Sequence, residues 1–229
     1  MKQCISVITI DGPSGSGKSK LCKKIAEKLN WNVLESGLIY RFLAVMVSNE
    51  KYNKKDLIFL SRSLNFFNII NNKNFKNKIR KSNILNQIDT EIIGNLASKL
   101  AGISYIRKCL LFQQRLFHQF PGLVADGRDM GTVIFPSACL KFFLKADLNV
   151  RVQRRLQYLK QKGIKTDFNK LFFMMKQRDY RDHNRTISPL VPEKNAIIID
   201  STDMSLQQVV NVCMKYIKNV KDININTKL

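Results

Sequence analysis

The run Gly12-Pro13-Ser14-Gly15-Ser16-Gly17-Lys18-Ser19 has the spacing GxxxxGK[ST], and the chemistry open to it is phosphate binding. Glycines let a backbone wrap closely round phosphate oxygens. The N–H groups and a following helix N-terminus supply partial positive charge, and Lys18 adds a full one. Ser19 offers a hydroxyl to a magnesium ion, and Lys20 extends the run. A plain glycine turn before a helix is the alternative, but an apolar run on one side and a helical pattern on the other favour a nucleoside triphosphate site. The loop alone does not separate a kinase from a GTPase, a helicase or a transporter ATPase.

Three later segments carry groups suited to a second anion. In Glu35-Ser36-Gly37-Leu38-Ile39-Tyr40-Arg41, Ser36 and Arg41 sit at the start of a helix, where a hydroxyl and a cation orient an incoming phosphate; a helix cap beside a surface arginine reads equally well. In Ala125-Asp126-Gly127-Arg128-Asp129-Met130-Gly131-Thr132, Asp126 ends an apolar strand, a position from which carboxylates are directed toward magnesium. Arg128 and Asp129 follow in a turn at the sheet edge where ligands bind, which outweighs the reading as a mere charged turn. Arg178, Asp182 and Arg185 fall at i, i+4 and i+7 of a predicted helix, with Arg181 alongside, and this excess of arginine exceeds what a solvated ion-pair face needs.

Together these segments, extended through Thr186-Ile187-Ser188-Pro189-Leu190-Val191-Pro192, closely resemble the bacterial cytidylate kinases in order and spacing. The resemblance implies a P-loop kinase with a central parallel five-stranded sheet flanked by helices, an inserted nucleoside-monophosphate-binding subdomain at 53–93 and a short lid at 149–168, all in one domain spanning 1–229. It implies transfer of a phosphoryl group from MgATP to CMP or dCMP. Ser36, Arg41, Arg128, Arg178, Asp182 and Arg185 would then hold the acceptor's phosphate and ribose, and Ser98, Arg107 and Asp129 would read the cytosine edge. Arg151, Arg154 and Arg155 resemble the family's lid arginines, with a basic surface helix as the alternative that reads equally well for Arg151, and the catalytic set becomes Lys18, Arg128, Arg154 and Arg155, with Ser19 and Asp126 at the metal. The chain departs from the family pattern at Glu35 for Asp, Lys20 for Thr, Ser137 for Asp and Tyr180 for a charged residue.

The elements that must position these groups are legible in the hydrophobic pattern. Ile5 to Ile10 reads as a buried strand, and from Lys18 onward Leu21, Ile25 and Leu29 recur at helical spacing. Further strand-like runs at Leu123 to Ala125, Leu140 to Leu144 and Ala196 to Ile199 are separated by helix-length segments, predicting parallel strands joined by crossovers. Ile103, Ile106, Leu110 and Phe117 share one helical face. Leu206, Val209, Val210, Cys213 and Ile217 form another, with Ser205 and Gln208 as a capping box. The Asn- and Lys-rich stretch 53–93 breaks the alternation, and the tail after Val220 reads as frayed.

Composition sets the outer limits. The 229 residues, 45% hydrophobic, are enough for one globular domain and not for two large ones. A formal charge of +22 attracts anions, but the lysines lie among asparagines without aromatic interleaving, so no nucleic-acid partner is predicted. Cys4, Cys22, Cys109, Cys139 and Cys213 form no CxxC pair and read as free thiols. No apolar stretch is long enough to span a bilayer, so a soluble cytoplasmic protein is expected; ATP and CMP or dCMP are its expected partners, and a monomer its expected state.

Overall fold

The computed structural model describes residues 5–48, 54–63, 66 and 87–220. Its centre is a five-stranded sheet in the order β2-β3-β1-β4-β5, formed by β1 (Ser6–Asp11), β2 (Asn32–Glu35), β3 (Gly122–Gly127), β4 (Leu140–Lys145) and β5 (Ile197–Asp200). Every neighbouring pair is parallel. Parallel strands need crossovers that cover both faces, which is why β1 and β3 are buried almost throughout, with Val7, Ile8, Ile10, Leu123, Val124 and Ala125 forming their apolar part.

On one face lie helix α1 (Lys18–Leu29) and the last helix of the fold (Leu206–Lys218), packing Leu21, Ile25, Val209, Val210 and Ile217 against Ile8, Ile10, Val124 and Phe142. Ser205 and Gln208 cap the latter reciprocally, as their spacing predicts. The opposite face carries α2 (Ser36–Val47), α3 (Lys54–Ser63), α4 (Glu91–Leu100) and α5 (Ser104–Arg115) around Leu43, Ile93, Ile106, Leu110 and Leu123. Truncating one such fully buried leucine or isoleucine to alanine costs about 2–5 kcal/mol. The predicted helical face ending at Phe117 is shorter as a helix: Ile103 is the N-cap of α5 and Phe117 lies beyond its end, yet Phe117 is still buried.

Helices α6 (Leu148–Gln161) and α7 (Phe168–Asn184) form a hairpin with a small core of its own, Val152, Leu159, Leu171 and Met175. The segment 149–168, expected as a lid, thus consists of α6 and the turn leading into α7. Of the expected insert 53–93, α3, Phe66 and residues 87–93 are described, α4 runs across its far boundary, and the rest lies outside the described residues. The tail after Val220 and Cys4 lie outside them too. Cys22 and Cys213 are buried free thiols, whereas Cys109 and Cys139 are partly exposed. Among the described residues no helix is long and apolar enough to cross a membrane.

Strand register decides where chemistry gathers. Asp11 pairs with Gly127 and Glu35 with Asp126, so three carboxylates and the loop after β1 meet at the carboxyl edge of the sheet. The chain moves to one side of β1 for β2 and β3 and to the other for β4 and β5, and this switch point is where such sheets bind ligands.

Candidate active site

The loop between β1 and α1 owes its path to glycine. Gly12 has φ 147°, and a Cβ there would strike the Leu144 carbonyl of β4; Gly17, which opens α1, has φ 97°. Lys18 folds back over the loop, its Nζ donating to the Pro13 carbonyl at 2.6 Å. Burial, then the nearby Arg128 guanidinium, pulls its pKa down, and Asp126 opposes them. At the end of β3, Asp126 accepts a hydrogen bond from the Ser19 hydroxyl. Behind the loop, Arg151 donates to the Ser14 carbonyl at 3.1 Å and pairs with Asp179 at 2.7 Å, so it braces the loop from α6.

The other two arginines of α6 point elsewhere. Arg154 is gripped by the β5 edge, donating to the Ser201 carbonyl at 2.6 Å and the Thr202 carbonyl at 3.3 Å. Arg155 reaches across the cleft to the acceptor side, donating to Glu91 Oε1 at 2.6 Å and to the Asp89 carbonyl. Both line the large cleft above the loop, together with Ser14 to Lys20, Arg41, Asp126 and Arg128.

A smaller recess adjoins this cleft, with empty space of about 400 Å³ against about 1890 Å³. Its walls come from α2 (Ser36, Gly37, Tyr40), α4 (Ala97, Ser98), α5 (Arg107), the turn after β3 (Arg128, Asp129) and α7 (Arg178, Asp182). At its floor Arg107 and Asp129 form a buried ion pair, and Arg107 also donates to the Ala101 carbonyl at 3.2 Å. On its wall Asp182 accepts from Ser98 Oγ at 2.7 Å and Arg128 Nε at 3.0 Å. Burial alone would raise the Asp182 carboxyl, but Arg128, Arg178 and the Ser98 hydroxyl outweigh it and bring the pKa to about 2. Ser36 Oγ donates to Gln114 Oε1 at 3.0 Å.

Two residues sit differently from their expected places. Arg185 does not continue the stripe of Arg178 and Asp182 along a helix, because α7 ends at Asn184 and Arg185 has extended backbone, φ −66° and ψ 139°. It still lines the recess, with its Nε donating to the Ser188 carbonyl at 2.5 Å. Arg41 lines the large cleft instead of the recess, its Nη1 bound to the carbonyls of Ile88 and Thr90, the latter at 3.0 Å. Burial and then the Arg178 guanidinium pull Arg41 down to about 9, against the opposing carboxylate of Glu91. Arg178 Nε, 3.9 Å from Asp182 Oδ2, and Arg185 Nη2 are buried without hydrogen-bond partners among the described residues, which suits an anionic ligand.

Several residues that spacing alone did not single out hold this arrangement. Asp11 accepts from the backbone N–H of Met130 at 2.9 Å and of Gly131 at 2.8 Å, tying the Arg128–Asp129 turn to the strand that leads into the phosphate loop. Burial pushes its carboxyl up to about 7 against those two bonds. Gly94 gives room on α4, since a Cβ there would come within 2.6 Å of Arg41 Nη2 and 3.0 Å of Arg178 Nη1. A strand-terminal Asp directly before the loop is a readable signal; Gly94 leaves none in a single sequence. Glu35, the departure at the end of β2, pairs with Lys23 of α1 at 2.7 Å. His118 contacts the Ile5 carbonyl at 2.8 Å and His183 is exposed; neither lines the cleft or the recess.

Gly37, Gly127, Arg128 and Arg178 line both cavities. The two cavities therefore share a border at Arg128 and Arg178. The family model for cytidylate kinases matches residues 8–219. The chain is 53% identical over 227 residues to the cytidylate kinase of Buchnera aphidicola subsp. Baizongia pistaciae, covering 98% of this chain and 99% of that one. It is 49% identical over 210 residues to that of Marinomonas sp., covering 90% and 92%, and 42% identical over 217 residues to that of Yersinia enterocolitica, covering 93% and 94%. With a parallel sheet that sets a phosphate loop against an arginine-lined second recess, and with likeness over nearly its whole length, the chain belongs to the cytidylate kinase family.

Proposed function

We propose that the protein transfers the γ-phosphoryl group of ATP to the α-phosphate of CMP or dCMP, giving ADP and CDP or dCDP. The observation that carries this reading is the common border of the two cavities at Arg128 and Arg178, which provides cations where an acceptor phosphate and a donor phosphate come together. The attacking group is already an anion, so a dedicated general base is not required, in keeping with a site rich in arginine. In this reading Lys18, freed from the Pro13 carbonyl, neutralises the donor phosphates, and Arg154 and Arg155 complete the cationic lining from α6.

Ser19 and Asp126 suit a magnesium ion: a hydroxyl and a carboxylate already in contact, both oxygen donors, beside the loop that would hold the phosphates. The ion would neutralise charge developing on the transferring group. At the floor of the recess the carboxylate of Asp129 accepts hydrogen bonds and cannot donate, which fits the exocyclic amine of cytosine and disfavours the carbonyl of uracil, while Arg107 fixes the carboxylate's position. Ser98 stands beside them on α4. The same reading has the enzyme working as a cytoplasmic monomer on small nucleotides.

The test is ADP release coupled to a spectrophotometric readout with CMP, dCMP, UMP, AMP and GMP as acceptors. CMP and dCMP should be turned over well above the rest. Equal turnover of UMP or AMP would remove the base assignment, and ATP hydrolysis stimulated by RNA with no monophosphate acceptor would replace the reading by that of a nucleic-acid-dependent ATPase.

A further inference from the structure

One carboxylate in the arginine cluster has no part in the reading above. Glu91, in the first turn of α4, is 7% exposed, and its Oε1 accepts from Arg155 Nε at 2.6 Å. Its other oxygen, Oε2, is buried with no hydrogen-bond partner among the described residues. Buried acids are costly unless compensated, and here burial raises the Glu91 pKa while Arg155, Arg41 and Arg178 together bring it below the ordinary value, so it is ionised. Next to it the Asp89 carbonyl accepts from Arg155 Nη2, and the Asp89 carboxylate accepts from the Tyr158 hydroxyl at 2.9 Å. The Arg155 guanidinium also stands over the Tyr158 ring, 5.2 Å from its centre. Two of the three guanidinium nitrogens are thus fixed by the acceptor side, which leaves Nη1 as the nitrogen without a partner among the described residues, in a side chain that lines the donor cleft.

Position along α4 gives this contact its meaning. Glu91 meets Arg155, Gly94 one turn on makes room for Arg41 and Arg178, and Ser98 bonds Asp182. Residues at i, i+3 and i+7 share a face, so one helix edge runs from the donor cleft to the acceptor recess.

We propose that Glu91 is a positioning residue for phosphoryl transfer: its carboxylate orients the Arg155 fork so that the remaining nitrogen meets the donor phosphates, and it ties that orientation to the acceptor side. The inference rests on the reading that Arg155 meets the donor phosphates. It acts through Arg155 and needs no contact between Glu91 and either substrate.

The test is a double-mutant cycle in steady-state kinetics with ATP and CMP on the full chain, using Glu91→Gln, Arg155→Ala and the double variant, with thermal melting alongside. Glutamine keeps the shape and one acceptor while removing the charge. Glu91→Gln should lower kcat about tenfold with KM values nearly unchanged, and should add almost nothing in the Arg155→Ala background. Arg155→Lys, which can still pair with Glu91 but presents no oriented fork, should lower kcat to a similar degree with an unchanged melting temperature. Independent, additive losses in the cycle would overturn the proposal, as would full kcat in Arg155→Lys. If Arg155→Ala lowers kcat but the cycle is additive, Glu91 alone is excluded; if Arg155→Ala leaves kcat intact, the placement of Arg155 at the donor phosphates fails with it.

Discussion

The phosphate loop and the acceptor recess both hold anions, and they are built in opposite ways. The loop is one contiguous stretch whose shape comes from glycine conformations and backbone groups, with Arg151 and Asp179 bracing it from behind. The recess is assembled from α2, α4, α5, the turn after β3 and α7, and its shape comes from paired side chains: Arg107 with Asp129, Arg128 with Asp182, Ser98 with Asp182. A backbone cradle reads phosphate and is indifferent to most of the chain around it. A side-chain network reads a particular molecule, but a change at one member moves the others.

The sharpest way to break the loop's side of this contrast is Lys18→Ala. It should lower turnover by about a thousandfold while melting stays near that of the unaltered protein; near-normal turnover would remove the loop from the chemistry. Gly94→Ala probes the recess through a position that touches no substrate. The added methyl displaces the ends of two flexible arginines, so the fold should survive while KM for CMP rises about tenfold to a hundredfold and KM for ATP rises less. Equal changes for both substrates would show that Arg178, which lines both cavities, serves the acceptor no more than the donor.

Asp129→Asn exchanges a pure acceptor for a group that can also donate. The CMP-over-UMP ratio of kcat/KM should fall by about tenfold or more, and an unchanged ratio would take Asp129 out of base reading. The smallest effect concerns stability. Asp182 has its pKa depressed from 3.8 to about 2, so its contribution is fully present above about pH 4 and is lost as pH falls through 2. Melting temperature should therefore decline less steeply between pH 4 and pH 2 in Asp182→Asn than in the unaltered protein.

The same contrast explains what could be read from the chain. The loop is visible because its determinants are adjacent in sequence, and the strands are visible because burial on both faces leaves continuous apolar runs at Leu123 to Ala125 and Phe142 to Leu144. Of the recess residues, Ser36, Arg128, Asp129, Arg178, Asp182 and Arg185 stand out segment by segment as groups suited to an anion, whereas Ser98 and Arg107 could be named only through likeness to a family, since nothing in their spacing says that they converge with the others. Arg185 looked helical because periodicity does not record where a helix stops, and α7 stops one residue short of it. Arg154 and Arg155 are neighbours in sequence, yet one is held by Ser201 and the other by Glu91, a divergence set by what packs on each side of α6. Glu91 and Gly94 went unassigned because their roles are defined by partners far away in the chain, whereas Asp11 ends a strand directly before the loop and was open to assignment.

In the proposed reaction a donor phosphate passes directly to a cytidine monophosphate across the border formed by Arg128 and Arg178. The most direct measurement follows ATP radiolabelled in its γ-phosphate during turnover with CMP. The account predicts label in the β-phosphate of CDP, appearing in step with ADP; label released as inorganic phosphate with CMP left unchanged would contradict it.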